Sequence, residues 1–429
     1  MKTKTLYFVL HSAQLFVFCC FAAKIGGTSE KQKIKICFAF RSVCTIFAPY
    51  MAKLLIIINE DRFFLSHRKE IALRARQAGH DVTIVCKDTG DRAAVEALGL
   101  RMIDLPINPT GMNIREEFRT LRFLYKLYKK ERPDIVHHVG LKTILWGGLA
   151  AKLAKCHGVV NAVSGLGVLF SNKKPGLKTR GVMALMKYAN HRDNIRAIFQ
   201  NHEDKALFVR HNIIQEQDCV YIKGSGVNLK DFAFTPEPDG QEVNIIFTAR
   251  MVKEKGILVL VEAAELLRKE MQGRVHFWLC GMLSNNPKAI SREELESLCD
   301  GDYIQWLGYR SDIKQLLQQS HIMAFPSYYR EGLPLSLIEA AAIGRPIVTT
   351  QWYGCKDTVE EGENGFLVPV RDSAALADRL RTLINDKELR LRMGRRSREK
   401  AEKEFDIEQV LSKHLEIYEE LVRTKGSHT

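Results

Sequence analysis

From Met51 onward, short runs of apolar residues rich in β-branched side chains alternate with stretches in which apolar positions recur every three or four residues. The short runs are KLLIIIN, DVTIVC, RMIDLP, DIVHHV, VVNAVS, RAIFQN and CVYIKG. Between them lie amphipathic segments such as Arg68–Ala78 and Phe118–Lys130. Near-continuous apolar strands joined by crossover helices predict a parallel sheet covered on both faces. The pattern breaks at NLKDFAFTPEPDGQEV, where Pro236, Pro238 and Gly240 punctuate a linker. It restarts with NIIFTAR, a helix near Gly256–Glu270, and then VHFWLCG, YIQWLGY, HIMAFPS, RPIVTT and GFLVPV. The expectation is an α/β chain with two doubly wound parallel-sheet domains, 51–235 and 236–405, facing a cleft at the carboxyl ends of their strands. A last helix, Ile407–Arg423 within 406–429, could pack back on the first domain.

Residues 1–50 stand apart from this pattern. MKTKTLYFVLHSAQLFVFCCFAAKIGG has a charged start and an apolar stretch interrupted by His11, Ser12 and Gln14. Three readings stay open: an extension upstream of a start at Met51, a weak membrane anchor, or a cleaved signal. Four of the ten cysteines fall here, and the other six lack the spacing of a zinc site or a disulfide framework. Reduced thiols and a cytoplasmic location are expected.

The formal charge of +14 is unevenly spread. Residues 51–235 hold thirty basic and eighteen acidic side chains, whereas 236–429 hold twenty-seven and thirty-one. A basic first domain beside a slightly acidic second suggests that one half meets an anionic surface or ligand. Nucleic acid is not indicated, because no aromatic-basic module of a nucleic-acid reader is present.

The chemistry concentrates in the second domain. NIIFTARMVKEKG is a strand running into Arg250, then Lys255 and Gly256 ahead of a helix. Cations there are placed to hold a diphosphate, though two solvated surface charges would give the same letters. Downstream, EGLPLSLIEAAAIG reads as a loop becoming a helix at about Pro334. The amides near Gly332, Leu333, Leu335 and Ser336 would then face an anion, with Gly332 allowing close approach. Glu339 could accept the hydroxyls of a ribose, and Glu331 could reach the sugar on the phosphate. The alternative is a helix cap carrying a surface glutamate.

Taken together, E-x7-E preceded by R-x4-K-G resembles the retaining nucleotide-sugar glycosyltransferases of family 4, which have the GT-B fold of two Rossmann-like domains. The resemblance covers 51 to about 425. It implies that Arg250 and Lys255 hold the donor diphosphate, Glu339 the ribose and Glu331 the transferred sugar. It further implies that WLGYRSDI, from Gly308 and Tyr309 to Asp312, lies beside the base. In the first domain, NAVSGLGVLFS places Gly165 and Gly167 in a tight turn, taken as part of the donor site. VHHVGLKTILWGGLAAKLA carries His138 and Lys142, and SHRKEIALRARQAGHDV carries His67 and Arg68 at a helix start. These four are the candidates for the acceptor. With KGSGVNLKDF and WYGCKDTVEEG, these stretches resemble a bacterial subgroup that adds a hexose or N-acetylhexosamine to a sugar on a polyprenyl diphosphate. The likeness is to α-1,3-N-acetylgalactosaminyltransferases of glycan assembly. One departure is that the loop after the first strand, NEDRFFLSHR, lacks the glycines many relatives have there.

The resemblance implies a UDP-sugar donor, a polyprenyl-diphosphate-linked acceptor and no resident cofactor. No Asp-x-Asp element is placed for a divalent ion, so a metal-independent reaction is expected. Arg119–Arg132, RTLRFLYKLYKKER, and Ser171–Gly181, SNKKPGLKTRG, carry much of the first domain's charge. A basic face with Tyr and Phe beside it suits an anionic membrane surface, unless it is an ordinary solvated helix face. The expected location is therefore peripheral, on the cytoplasmic side of the inner membrane. Competing readings are an epimerase or phosphorylase on the same scaffold, a dehydrogenase, and a non-catalytic nucleotide-binding module. Against the dehydrogenase, no G-x-G-x-x-G follows either first strand.

Overall fold

The computed structural model describes residues 51–109, 111, 113–166, 176–284 and 289–426. Segment 1–50, Gly167 and residues 171–175, all singled out above, lie outside the described residues.

The first half runs β1 (Lys53–Glu60), α1 (Asp61–His67), α2 (Lys69–Gln77), β2 (Asp81–Lys87), α3 (Arg92–Ala97), β3 (Arg101–Asp104), α4 (Ile114–Glu131), β4 (Ile135–Val139), α5 (Leu141–Ala154), β5 (Gly158–Val163), α6 (Leu177–Asn190), β6 (Ile195–Phe199), α7 (His202–Arg210) and β7 (Cys219–Tyr221). All seven strands are parallel, in the order β3-β2-β1-β4-β5-β6-β7. β4 and β5 are buried at every position, which explains their mostly apolar runs; His137, His138 and Asn161 are the buried polar exceptions. One face of the sheet packs under α4 and α5 through Leu124, Leu127, Ile144 and Ala151. The other is covered by α2 through Ile71, Ala72 and Ala75.

The second half runs β8 (Val243–Thr248), α8 (Ile257–Met271), β9 (Val275–Cys280), α9 (Arg292–Ser297), β10 (Ile304–Gly308), α10 (Ile313–Gln318), β11 (Ile322–Phe325), α11 (Leu335–Ile343), β12 (Ile347–Thr350), β13 (Gly365–Val368), α12 (Ser373–Asn385) and α13 (Lys387–Glu404). Its six parallel strands take the order β10-β9-β8-β11-β12-β13. Strand order therefore reverses between β1 and β4 in one sheet and between β8 and β11 in the other. Crevices for ligands open at such switch points, beyond the carboxyl ends of the strands.

After α13 the chain crosses back, and α14 (Ile407–Gly426) lies under the first sheet, with Val410, Leu411, Ile417, Tyr418 and Leu421 buried beside Leu54 and Ile56. The two crossings touch: the Val227 amide donates to the Phe405 carbonyl at 2.8 Å, and the Ile407 amide to the Val227 carbonyl at 3.1 Å. Buried Arg345 holds the linker by donating to the carbonyls of Thr235 and Pro236.

Two helices differ from their expected starts. The segment expected from Arg68 is already helical at Asp61, then breaks at Arg68 (φ −133°). The buried Asp61 carboxylate accepts the amides of Arg62, Thr89 and Asp91, which fixes the early start. Likewise, α4 begins at Ile114, where the Asn113 side chain accepts the Arg115 amide as a cap.

Candidate functional site

β8 ends at Thr248, and exposed Arg250 follows it. A short 3-10 turn, Lys253–Lys255, then leads to Gly256 at φ +87°. A Cβ on Gly256 would collide with the Pro326 carbonyl, so the close approach of these two strand ends requires glycine. The approach carries Lys255 across to the segment after β11. Its ammonium sits 5.5 Å from the Phe325 ring centroid and 5.3 Å from that of Tyr329. It pairs with the Glu331 carboxylate at 2.5 Å, and Ser327 Oγ donates to the same oxygen at 3.0 Å. Both charged side chains are largely buried, so this pair works in a low dielectric.

The turn after Glu331 enters α11, with Pro334 at the cap rather than inside the first turn. The first amides of a helix have no intrahelical acceptor, so those of Leu335 and Ser336 find none within α11. Leu333 departs from expectation: its amide donates to Gln200 Oε1 at 3.1 Å and its side chain is buried in the core. Glu339, in the second turn, is partly exposed, and removal of water from around it pushes its carboxyl up to about 8. Gly308 ends β10 at φ +67°, and Tyr309 beyond it is exposed.

Across the crevice, the first half presents the end of β1 and the loop after β5. Gly165 has φ +104°, and a Cβ there would come within 2.7 Å of the Gly332 amide nitrogen. His67 ends α1 rather than starting a helix; its ring stacks on Phe63 at 4.2 Å and Nδ1 contacts Ser66 Oγ at 2.7 Å. Burial, then the charges of Arg68, Lys255 and Arg250, push its imidazolium down to about 3. His67 is therefore neutral and lies in the field of the second half's cations. Arg68 is buried and donates to Ser225 Oγ and Ser164 Oγ, both at 3.1 Å, while its Nε has no partner. Burial lowers its guanidinium to about 10.

Two of the acceptor candidates are placed elsewhere. His138 is fully buried, with Nε2 on Tyr128 Oη at 3.0 Å and Nδ1 on Asn161 Oδ1 at 2.8 Å. Lys142 spends its three N–H donors on Glu117 at 2.6 Å and on the carbonyls of Asn108 and Gly111, both at 2.5 Å. Neither side chain keeps a polar atom for an acceptor; the first packs the core and the second pins the loop before α4.

A set of contacts between the halves was missed in the sequence. Arg330 Nε pairs with buried Asp204 at 2.9 Å. Asn201 Nδ2 donates to the Glu331 carbonyl at 3.2 Å, beside the Gln200 bond to Leu333. Asn201 and Asp204 read locally as a helix cap, which they also form, with the Asp204 amide on Asn201 Oδ1. Nothing in their spacing signals that the same residues grip the Glu331 turn.

Known proteins share this fold and stretches of this sequence. The family described as Glycosyl transferases group 1 matches residues 230–400, and that described as Glycosyl transferase 4-like matches 53–201. A Campylobacter jejuni N,N'-diacetylbacillosaminyl-diphospho-undecaprenol alpha-1,3-N-acetylgalactosaminyltransferase is 26% identical over 84% of this chain and 98% of its own length. An Escherichia coli UDP-Gal:alpha-D-GlcNAc-diphosphoundecaprenol alpha-1,3-galactosyltransferase is 26% identical over 80% of this chain and 90% of its own. Among solved structures, Anabaena HepE in complex with UDP and glucose superposes with a TM-score of 0.70 at 17% identity, over 86% of this chain and 99% of that one. A Rickettsia africae glycosyltransferase gives 0.69 at 22% identity, over 87% and 99%. The fold is thus the GT-B fold of two facing Rossmann-like halves.

Proposed function

From the premise that this chain belongs to the group 1 glycosyltransferases with a 4-like first half, we propose that it moves a hexose or N-acetylhexosamine from a UDP-sugar to a saccharide on a polyprenyl diphosphate. The donor sits on the second half. Arg250, Lys255 and the amides of Leu335 and Ser336 face its diphosphate, Glu339 the ribose, Gly308 and Tyr309 the base, and Glu331 the sugar. The Gly165 turn closes the donor side from across the crevice. The acceptor enters over the first half, where His67 and Arg68 remain the candidates. The bond from the anomeric carbon to the diphosphate oxygen breaks, and a bond from that carbon to the acceptor oxygen forms. The hydroxyl proton leaves with an oxygen of the departing phosphate. Charge grows on the diphosphate, so stabilisation by the two cations and the helix amides is the largest catalytic contribution.

The observation that carries this reading is the Lys255–Glu331 contact beside an open helix N-terminus. A cation and a carboxylate meet where a phosphate and its sugar would lie. The Campylobacter relative's name supports the finer choice of N-acetylgalactosamine in an α-1,3 linkage; retention and work on the cytoplasmic face of the membrane holding the acceptor follow from the family resemblance. The reaction is expected to need no metal, and turnover should survive chelation. The test is a panel of UDP-activated N-acetylgalactosamine, N-acetylglucosamine, galactose and glucose with a short-chain polyprenyl-diphosphate sugar, reading UDP release and product mass. One donor should give a product one sugar heavier; silence across the panel, or turnover of a donor without acceptor, overturns the proposal.

A further inference from the structure

Helix α4 carries two apolar stripes, and only one of them faces the core. Leu124, Leu127 and Tyr128 are buried under the sheet. A second row follows Ile114, Phe118 and Tyr125, spaced i, i+4 and i+11 along one flank, with Leu121 between them partly buried against the core. Ile114 is 78% exposed and Phe118 67%, with Tyr125 exposed as well. Arg115, Arg119, Arg122, Lys126, Lys129 and Lys130 are all exposed beside this stripe. Phe118 and Phe123, with Arg115, Arg119, Arg122 and Lys126, line an open groove of about 640 Å³. Among the described residues lining it, Asp104 is the single acid.

The surroundings extend the patch. α5 packs against α4 and α6 against α5, and Leu177, Leu185 and Tyr188 of α6 are exposed. Crossover helices of a parallel sheet run opposite to the strands, so the first turns of α4 and α6 lie at the carboxyl ends of the strands. Ile114, Phe118 and Leu177 therefore sit on the side of the molecule where the crevice opens. Among the described residues no helix is long and apolar enough to cross a bilayer. A shallow apolar stripe flanked by dense cations instead suits a helix lying in the interfacial plane of an anionic bilayer.

We infer that α4, with the start of α6, docks the first half onto an anionic lipid surface, with Ile114 and Phe118 entering the headgroup region and Arg119, Arg122 and Lys126 on the lipid phosphates. This deepens the lipid-linked acceptor reading and rests on it: the docked face brings the crevice mouth to the plane where a polyprenyl chain emerges. The test is co-sedimentation of the full chain with phosphatidylcholine vesicles, with and without phosphatidylglycerol, alongside transfer to a short-chain acceptor in detergent. Parent and variants share residues 1–50, so the contribution of that segment cancels in the comparison.

The parent should bind the anionic vesicles and release at high salt. Joint Arg119→Ala, Arg122→Ala and Lys126→Ala should lower apparent affinity on the order of a hundredfold. Phe118→Ser should weaken binding to both vesicle types, and transfer in detergent should stay unchanged in every variant. Equal binding of the triple variant and the parent overturns the inference. So does a solution dimer that Phe118→Ser dissolves, since the face would then belong to a second copy. Vesicle binding without any transfer to the soluble acceptor would defeat the functional proposal and leave the surface assignment standing.

Discussion

Glu339 and Glu331 are both glutamates of one motif, but their surroundings differ: among the described residues the first lacks a cation and the second is paired with one. Among the described residues Glu339 has no ion-pair partner, and with its carboxyl raised to about 8 it is mostly protonated at pH 7. Two ribose hydroxyls would donate to the ionised form, so nucleotide binding should lower that value and expel a proton. UDP affinity should then rise with pH from 7 to a plateau above about 8, and calorimetry in buffers of different ionisation enthalpy should show proton release. Glu339→Gln should flatten the pH dependence; an unchanged slope would detach Glu339 from the nucleotide. Glu331 is the reverse case, with its carboxylate paired with Lys255 and accepting from Ser327. Glu331→Gln keeps the shape but removes the charge that pairs with Lys255 and that the proposal sets against the transferred sugar. Turnover should fall about a hundredfold or more while UDP affinity, read by calorimetry, stays within a few-fold. The turn and helix that carry these two positions were legible in the letters because the motif is contiguous; their roles toward the donor belong to the proposal. Lys142 and His138 were misleading because a lysine with three partners and a histidine with two look identical in sequence to free ones.

The strands were the most readable elements, since full burial on both faces leaves a continuous apolar signature. Helix starts were less so: α1 exists because the Asp61 carboxylate meets amides of Thr89 and Asp91, thirty residues away. α14 was legible as an amphipathic helix, but only the tertiary structure shows what its face covers. Tyr418 Oη bonds His137 Nδ1 at 2.7 Å beneath the sheet, and Leu421 lies against Gly158 and the core around Leu54. The twenty-residue helix Ile407–Gly426 thus completes the core of the first half. Leu421→Ala should cost about 2–5 kcal/mol in urea unfolding, the usual range for a buried leucine. Tyr418→Phe should cost about 1–3 kcal/mol, because His137 Nε2 already lacks a partner and Nδ1 would lose its own. Values near zero for both would mean that α14 merely lies on the surface.

At the scale of the whole molecule, the two halves are joined by polar contacts at the same turn that carries Glu331. Arg330 and Asp204 are both buried, and desolvation raises the Asp204 carboxyl to about 6 even with Arg330 drawing it down. Removing one partner strands the other, so Arg330→Met should destabilise the protein by about 3 kcal/mol or more. The double variant with Asp204→Asn should recover over half of that in urea titrations, and strict additivity would show that the pair does not couple the halves. Acid should act on the first half through a different set of groups. His80, His137, His138 and His414 are buried there, and loss of hydration depresses each, His138 and His414 to about 4. An unfolded chain protonates these imidazoles near 6.5, whereas the folded one does not. Below pH 6.5 the unfolded state therefore binds more protons and stability falls, by up to about 1.4 kcal/mol per pH unit for each histidine. Asp204 opposes this weakly, since its raised value makes the folded state hold a proton between about 4 and 6. Glu339, raised to about 8, also opposes it by holding a proton that the unfolded chain sheds. The melting temperature should therefore stay nearly flat from pH 8 to 7 and drop between 6.5 and 5, where the histidines outnumber both carboxyls. His414→Gln should make that drop shallower by about one proton. It keeps a side chain able to donate toward the Val410 carbonyl, which His414 Nδ1 contacts at 2.7 Å. If the variant melts with the parent's pH slope, the buried histidines do not set the acid limit of this fold.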